Sequence, residues 1–362
     1  MSKKEPAIID PLDDATEIIP FTYSIASYGA DYPVDSLVKR IREKDIVVPT
    51  FEHQDQLQEN IDAFQREYVW PKPKADRFIE SLLLGLPIPG IFLVKEVSGR
   101  LLVLDGHQRL YTLRAFYEGT IQGQEYTLAG IQERFIGKTY KTLELEDRRR
   151  LDDSIIHATI IRQETPSDDW SSIYVIFERL NTGGITLQAQ EIRMALYHGK
   201  LAGYLRKANL NPQWRKLIGP PSKRLKDIEL ILRFFALVEY HTDYQSPMKN
   251  FLNRYMSSKR NLDAATVEHL DELFTATTTA IYDALGNNAF KPDRVINAAF
   301  TDALMVGVGT SIKRGKTPTK RKIESAKNKL LQDEDFIAAI TTGTSQEPKV
   351  TLRIQKAIKA LS

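Results

Sequence analysis

The chain has 362 residues, of which 42% are hydrophobic, 9% aromatic and 27% charged, and it contains no cysteine. These proportions are typical of a folded globular protein, and they exclude a disordered chain, disulfide bonds, cysteine-ligated zinc and thiol nucleophiles. The first twenty residues lack the apolar run of a signal peptide, and no window approaches about 18 uncharged apolar residues. We therefore expect a cytoplasmic protein of about two domains that does not contact a membrane.

The net charge of +3 conceals an asymmetry along the chain. Residues 1–200 carry 24 Lys and Arg against 31 Asp and Glu, whereas residues 201–362 carry 26 against 16. The densest basic stretch, residues 313–329, is typical either of a nucleic-acid or subunit contact or of an ordinary solvated helix face and loop. The candidate DNA-binding residues in this stretch are Lys313, Arg314, Lys316, Lys320, Arg321 and Lys322.

Apolar periodicity predicts an α+β protein, with a small mixed α/β domain followed by an all-helical domain. Residues 1–20 are predicted to form a flexible tail, residues 21–200 the mixed domain, and residues 201–362 the basic helical domain. In the mixed domain the predicted elements, in chain order, are helix 34–45, strand 46–48, helix 74–84, a hairpin of strands 91–97 and 101–104, helix 110–119, strand 154–162, and helices 168–180 and 187–198. The later predicted helices are 201–208, 212–218, 224–240, 247–257, 263–285, 292–307, 318–331, 333–341 and 350–361.

The joint after the second strand of the hairpin carries the most chemistry, because a buried strand there turns sharply into a helix. Its sequence is Asp105-Gly106-His107-Gln108-Arg109. Unpaired N–H groups and the positive end of the dipole make such a helix start a phosphate site. Gly106 permits the turn, Asp105 offers a carboxylate to a metal ion or a ribose hydroxyl, and Arg109 offers donors to phosphate. Gln108 would orient a water and His107 would exchange protons. The alternative is an ordinary Asp-Gly turn with a helix cap.

Two other segments have similar chemistry. Gln65 and Arg66 lie in a polar stretch before Trp70, and residues 181–184 (NTGG) separate two helices. An Asn-x-Gly-Gly break presents backbone N–H groups to an anion or ends a helix with a left-handed glycine.

Other signals are weaker. Residues 309–317 resemble a phosphate-binding loop but have five residues between the glycines where the motif requires four. We therefore interpret Gly315 as a bend in a basic loop between helices. The six histidines lack zinc-site spacing. His157 lies on an apolar strand and is interpreted as a structural residue.

Four ordered motifs resemble the N-terminal domain of GmrSD-type modification-dependent restriction endonucleases. They are residues 65–70 (QREYVW), 81–89 (SLLLGLPIP), 104–110 (LDGHQRL), and 177–184 (FERLNTGG) with 190–193 (QEIR). The resemblance extends over about residues 25–200, and residues 224–235 resemble the helical segment that follows in such proteins. It implies a ParB/sulfiredoxin-like fold.

The family's Asp-Gly-Gln-Gln-Arg motif is associated with nucleoside triphosphate hydrolysis that supports DNA restriction in antiphage defence. Asp105, Gln108 and Arg109 fall on this motif, and His107 replaces its first Gln. The resemblance thus implies catalytic roles for these four residues, and Asp105 would also bind the Mg²⁺ that a nucleoside triphosphate carries. The implied nucleotide-binding residues are Gln65, Arg66, Gly106, Asn181, Gly183, Gly184 and Arg193.

The companion nuclease of larger relatives is of the His-Asn-His type. Only His241 and His269 follow residue 200, without a paired-histidine context, so we expect a separate nuclease partner. Two alternatives stay open. One is a non-catalytic DNA-binding or regulatory module with a ParB-like pocket, and the other is a ParB-like nuclease that cuts DNA through Asp105 and His107.

Overall fold

The computed structural model describes residues 24–48, 70–165, 170–180 and 187–362. These residues form two compact units. An α+β unit contains residues 24–48, 70–165 and 175–180, and a helical unit contains residues 170–174 and 187–362. The predicted α+β class, with a small sheet followed by helices, is confirmed. The finer ParB/sulfiredoxin-like assignment and the predicted domain limits stay predictions, and the predicted tail lies outside the described residues.

The α+β unit is built around one five-stranded sheet. Its strands run in the order β1-β7-β3-β4-β2, where β3 is parallel to β7, β2 is parallel to β4, and the pairs β1/β7 and β3/β4 are antiparallel. In chain order, the strands and α-helices from β1 to α5 are β1 Ser24–Pro33, α1 Val34–Arg42, β2 Ile46–Val47, α2 Lys72–Leu83, β3 Ile91–Lys95, β4 Leu101–Asp105, α3 His107–Glu118, β5 Thr120–Ile121, β6 Gln124–Glu125, α4 Leu145–Asp153, β7 Ile155–Thr165 and α5 Ser171–Leu180.

The predicted hairpin of β3 and β4 is confirmed, and it organises the core. The Glu96 backbone N–H donates to the Arg100 carbonyl at 2.8 Å across the turn. Leu93 and Val103 are paired in register and are completely buried in one apolar cluster with residues of α1, α2 and α3. The joint after β4 is therefore anchored by a well-packed core.

Three elements of this unit were not predicted, because their sequences lack the apolar periodicity of a strand or a helix. Strand β1 pairs with β7 along its whole length but is mostly half-buried or exposed, so it shows little apolar alternation. The β5–β6 hairpin turns at Gln122 and Gly123, which both have positive φ, as type I′ turns require. Helix α4 buries only Leu151. It is fastened by Asp152, which accepts hydrogen bonds from the hydroxyls of Tyr117 and Tyr140.

The helical unit follows the predicted periodicity closely. Helix α12 begins at Ala298 rather than at 292, because the Asn297 side chain caps it by accepting the Phe300 N–H at 2.8 Å. The α-helices of the helical unit after α5 are α6 Ala189–Leu196, α7 Lys200–Ala208, α8 Pro212–Ile218, α9 Lys226–Tyr240, α10 Met248–Ser258, α11 Ala264–Leu285, α12 Ala298–Lys313, α13 Lys320–Leu330, α14 Glu334–Thr341 and α15 Glu347–Leu361.

Helix α12 and the residues after it explain the two glycines of segment 309–317, Gly309 and Gly315. Gly309 lies inside it, where a Cβ would come within 2.7 Å of the Phe234 ring. The glycine therefore serves close helix packing, and the segment does not form a phosphate-binding loop. Gly315 follows the helix with φ +79°, which confirms the predicted bend. None of the helices in the described ranges is long and apolar enough to cross a membrane.

Candidate functional site

The joint between β4 and α3 depends on a glycine. Gly106 has φ +101° and ψ 7° and occupies the N-cap position of α3. A Cβ at this residue would come within 2.4 Å of Cγ2 of Ile91. Only glycine fits both this left-handed backbone and this close approach. The positive end of the α3 dipole therefore lies directly beside the end of β4.

Arg109 ties the joint together. Its Nη2 donates to Oδ2 of Asp105 at 2.8 Å, and its Nη1 donates to the carbonyl of Pro89 at 2.6 Å. Burial lowers the pKa of the Arg109 guanidinium, and the neighbouring Asp105 carboxylate opposes that effect. The side chain thus fixes both a carboxylate and the turn that precedes β3.

Asp105 is the more exposed residue of this ion pair. Its side chain is 41% exposed, whereas that of Arg109 is 11% exposed. Leu93 pairs with Val103, but the next residue back, Phe92, pairs with Asp105, so the register shifts by one residue at this point. Such an irregularity re-aims side chains, and it takes Asp105 off the core-facing row of Leu101 and Val103. The joint therefore presents a solvent-accessible carboxylate held by a mostly buried cation.

His107 and Gln108 begin α3. His107 is 7% exposed, and its ring stacks against that of Phe177 with 6.3 Å between centroids. The backbone carbonyl of Gln108 accepts a hydrogen bond from the Thr112 hydroxyl at 2.8 Å. The structure thus brings Asp105, Gly106, His107, Gln108 and Arg109 together as the sequence predicted, although the His107 ring packs inward. The catalytic roles of these residues stay predictions.

Of the predicted nucleotide-binding residues away from the joint, Arg193 is the one that falls in the described ranges. Arg193 lies in the helical unit and is fully buried. It donates to side-chain oxygens of Asn253 at 2.9 Å, Gln190 at 3.1 Å and Glu229 at 3.0 Å. These hydrogen bonds place Arg193 in a structural ion pair with Glu229. A nucleotide-binding role for Arg193 stays a prediction. The residues outside the described ranges are Gln65, Arg66, Asn181, Gly183 and Gly184.

A metal ion would find one carboxylate at the joint. Among the described residues, no group of three or more His, Asp or Glu side chains could hold a metal ion. Asp105 alone fits a Mg²⁺ that arrives with phosphate oxygens and water, because this ion commonly takes only one or two protein carboxylates. The donor set at the joint is therefore compatible with a nucleotide-borne ion.

The predicted DNA-binding residues form a connected surface in the helical unit. We call residues 313–322, from the end of α12 to the first turn of α13, the basic loop. All six predicted cations are exposed, and none pairs with a carboxylate of the described residues. Lys322 donates to the carbonyl oxygen of Ser362 at 2.5 Å. Lys327, farther along α13, is half-buried and donates to the carbonyl of Asn288 at 3.0 Å. The free charge is therefore concentrated in the basic loop.

The sequence interpretation missed a polar pair on the sheet. His157 lies on the apolar strand as predicted but not in the core, because its side chain is 73% exposed. Its Nδ1 lies 2.5 Å from Oδ1 of Asp31 on the neighbouring strand β1. Alternation along β7 places Ile156 and Ala158 in the core and His157 on the opposite face. This alternation was readable in the sequence and should have indicated exposure.

Comparison with known families places the joint inside a recognised domain. The sequence profile described as GmrSD restriction endonuclease, N-terminal domain, matches residues 50–198. No curated protein matches the chain. The matched range includes the whole joint and stops before α7.

Proposed function

We propose, from the match of residues 50–198 to the GmrSD restriction endonuclease N-terminal domain family, that the chain hydrolyses a nucleoside triphosphate at the joint formed by Asp105 and Arg109. The matched domain indicates a restriction-type phage-defence component that acts on DNA, with a nuclease- or hydrolase-type role. The nucleotide, the reaction and a separate nuclease partner are the proposed refinements.

The observation that carries the proposal is the asymmetry of the ion pair at the joint. Two structural pairs of the same unit, Lys72–Asp76 and Arg100–Glu96, bury the carboxylate and expose the cation, but here the cation is mostly buried and the carboxylate is 41% exposed. The pair also stands at the N-terminus of α3, where the dipole attracts anions. An anion that carries its own cation, such as a magnesium-bound triphosphate, matches both features.

Each residue then has a role that its position allows. Asp105 would hold Mg²⁺ through its exposed carboxylate, and that ion would neutralise charge on the phosphates. Arg109 positions Asp105 and the Pro89 turn, and the first turn of α3 would receive phosphate oxygens. Gln108, partly exposed at that turn, would orient the attacking water.

The helical unit supplies the proposed DNA contact. Its basic loop exposes six cations that no described carboxylate neutralises. Contacts of this kind give affinity for phosphate backbones without reading base sequence. Binding of DNA, or of a nuclease already on DNA, would couple nucleotide hydrolysis to restriction.

This same loop favours the second candidate, a DNA-binding or regulatory module that keeps the pocket without turnover. The third candidate, a nuclease acting through Asp105 and His107, is weakened because the His107 ring is packed against Phe177. The three candidates differ in what the purified chain does to nucleotides and DNA.

The test is phosphate release from each of the four nucleoside triphosphates, with and without Mg²⁺ and DNA. Wild-type protein is compared with Asp105→Asn, which keeps the shape of the side chain. The matched control is Glu118→Gln on the same helix, where Glu118 accepts from Arg114 at 2.7 Å with the same four-residue spacing. We expect release that requires Mg²⁺, that Asp105→Asn lowers at least about 100-fold, and that the control retains.

The outcomes separate the candidates. Absence of release from wild-type protein, with DNA still bound, would replace the proposal by the binding module. Nicking of plasmid DNA by the chain alone, lost in Asp105→Asn, would replace it by the nuclease.

A further inference from the structure

An Asp-His pair stands on the sheet near the joint and has no part in the account so far. His157 on β7 and Asp31 on β1 face each other in register, with 2.5 Å between Nδ1 and Oδ1. Both side chains are mostly exposed, at 73% and 61%. A carboxylate that engages Nδ1 fixes the tautomer and orientation of the ring and leaves Nε2 directed elsewhere.

The backbone connects this pair directly to the joint. A Cβ on Gly90 would lie 2.8 Å from the carbonyl oxygen of His157, so the two backbones are in contact. The preceding residue, Pro89, accepts the hydrogen bond from Arg109. His157 and Asp105 are therefore linked through one short turn, and both side chains are held on strands of one sheet.

Strand register sets their separation. Phe92 on β3 pairs with Asp105 on β4 and also with Thr159 on β7. His157 lies two residues before Thr159, on the same face of β7. Asp105 and His157 are thus separated by two strand spacings across the sheet and by two residues along β7, or about 12 Å between their backbones. A triphosphate bound at Asp105 would have to extend toward β7 for its attacking water to meet the imidazole.

The face between them carries the half-buried side chains of Phe92 and Thr159. Beside His157 the face is bare, because Gly90 on β3 has no side chain and Gly29 on β1 has nothing within 4 Å of the position of a Cβ. Within the described residues, Asp31 is the group bonded to the imidazole of His157. The strands thus present an ordered, solvent-accessible imidazole at the exposed part of this face.

We propose that His157, positioned by Asp31, is the general base for the hydrolysis assigned to the joint, an inference that rests on the proposed function. Nε2 accepts a proton from a water molecule as its oxygen bonds to the terminal phosphorus. The bond from that phosphorus to the bridging oxygen breaks, and the bridging oxygen leaves with the electron pair on the nucleoside diphosphate. The proton on Nε2 then passes to solvent, and the products are inorganic phosphate and the diphosphate.

His107 does not compete for this role on geometry. It stands closer to Asp105 in sequence, but it is 7% exposed and its ring is stacked on Phe177. The exposed imidazole of His157 can reach a water molecule without displacing packed side chains. The accessible imidazole for proton transfer is therefore that of His157 rather than that of His107.

The experiment measures phosphate release by full-length wild-type protein and its variants with Mg²⁺ and the preferred nucleoside triphosphate. His157→Ala should lose about 100-fold, as removal of a general base typically does, and added imidazole should restore part of that loss. Asp31→Asn should lose about tenfold in kcat with little change in KM, because the ring remains but its orientation is no longer fixed. His269→Gln, an exposed histidine in the helical unit, is the matched control and should retain the wild-type rate.

The outcomes distinguish this inference from the proposal beneath it. Release that Asp105→Asn removes but His157→Ala retains would overturn the role of His157 alone. A loss in His157→Ala that imidazole fails to restore would also overturn it, since a structural defect is not repaired by a free base. Absence of release from wild-type protein would overturn the proposed function, and the general base with it.

Discussion

Two Asp-Arg clusters in this protein have nearly the same bond lengths and opposite surroundings. At the joint, Arg109 donates to Asp105 at 2.8 Å. In the helical unit, Asp302 accepts from Arg233 at 2.7 Å and from Arg353 at 3.0 Å. Asp302 is 1% exposed, whereas Asp105 is 41% exposed.

The surroundings decide what each cluster can do. Around Asp302 the charges satisfy one another away from water, and the cluster extends through Glu229, which also accepts from Arg193. Such a network resists replacement of any single member, because each loss leaves a buried charge without its partner. At the joint the Asp105 carboxylate is exposed to solvent, so a ligand can bind to it. Hydrogen-bond distances alone would therefore not distinguish a structural ion pair from a ligand-binding site.

The largest effect should come from breaking the buried cluster. Asp302→Asn should lower the free energy of unfolding by about 4 kcal/mol, because Arg233 and Arg353 would face a neutral amide. Asp105→Asn should lower it by less than about 1 kcal/mol, since the Asp105 carboxylate is partly exposed to water and Arg109 keeps its hydrogen bond to the Pro89 carbonyl. Urea unfolding of both variants measures the difference. Equal losses would remove the distinction between the two clusters.

The joint's backbone gives the next largest effect. Gly106→Ala should lower the free energy of unfolding by about 3 kcal/mol, because a left-handed φ is combined with a close approach to Ile91. Gly119→Ala is the control at the other end of α3, where φ is +79° and nothing lies within 4 Å of a Cβ. It should cost about 1 kcal/mol. Similar costs for the two variants would show that the joint is not tightly packed.

The smallest effect concerns the basic loop. Replacing Lys320, Arg321 and Lys322 together by Ala should weaken DNA binding about tenfold near physiological salt and reduce the steepness of its salt dependence, because fewer counterions are released. The control replaces Lys200, Lys207 and Lys216, three exposed lysines of the helical unit, and should change binding less. Electrophoretic mobility shifts at several salt concentrations give both quantities. Equal effects in the two triple variants would mean that net charge, not this loop, binds DNA.

Sequence patterns predicted the joint well because its signals are local. A continuously apolar strand, a glycine and a following amphipathic helix fix the turn, and Asp105 and Arg109 are four residues apart on it. Strand β1 was missed because its burial comes from pairing with β7, a partner more than a hundred residues away. Helix α4 was missed because hydrogen bonds to Asp152, rather than an apolar face, fasten it.

Two residues show the limit of reading chemistry from neighbours in sequence. Arg193 stands near a glycine-rich break, yet in the helical unit it donates to Glu229 on α9 and to Asn253 on α10. His157 stands among apolar residues, yet it faces solvent and contacts Asp31. In both cases the deciding partner lies on a different element, and only the fold supplies it.

The central claim, that the nucleotide binds at Asp105 and Arg109, is tested most directly by calorimetric titration with Mg²⁺ and the β,γ-imido analogues of ATP and GTP. The account predicts that wild-type protein and Glu118→Gln bind one analogue equally well, and that Asp105→Asn binds it at least about tenfold more weakly, a difference of about 1.4 kcal/mol. Equal affinity of Asp105→Asn and wild-type protein would contradict the claim.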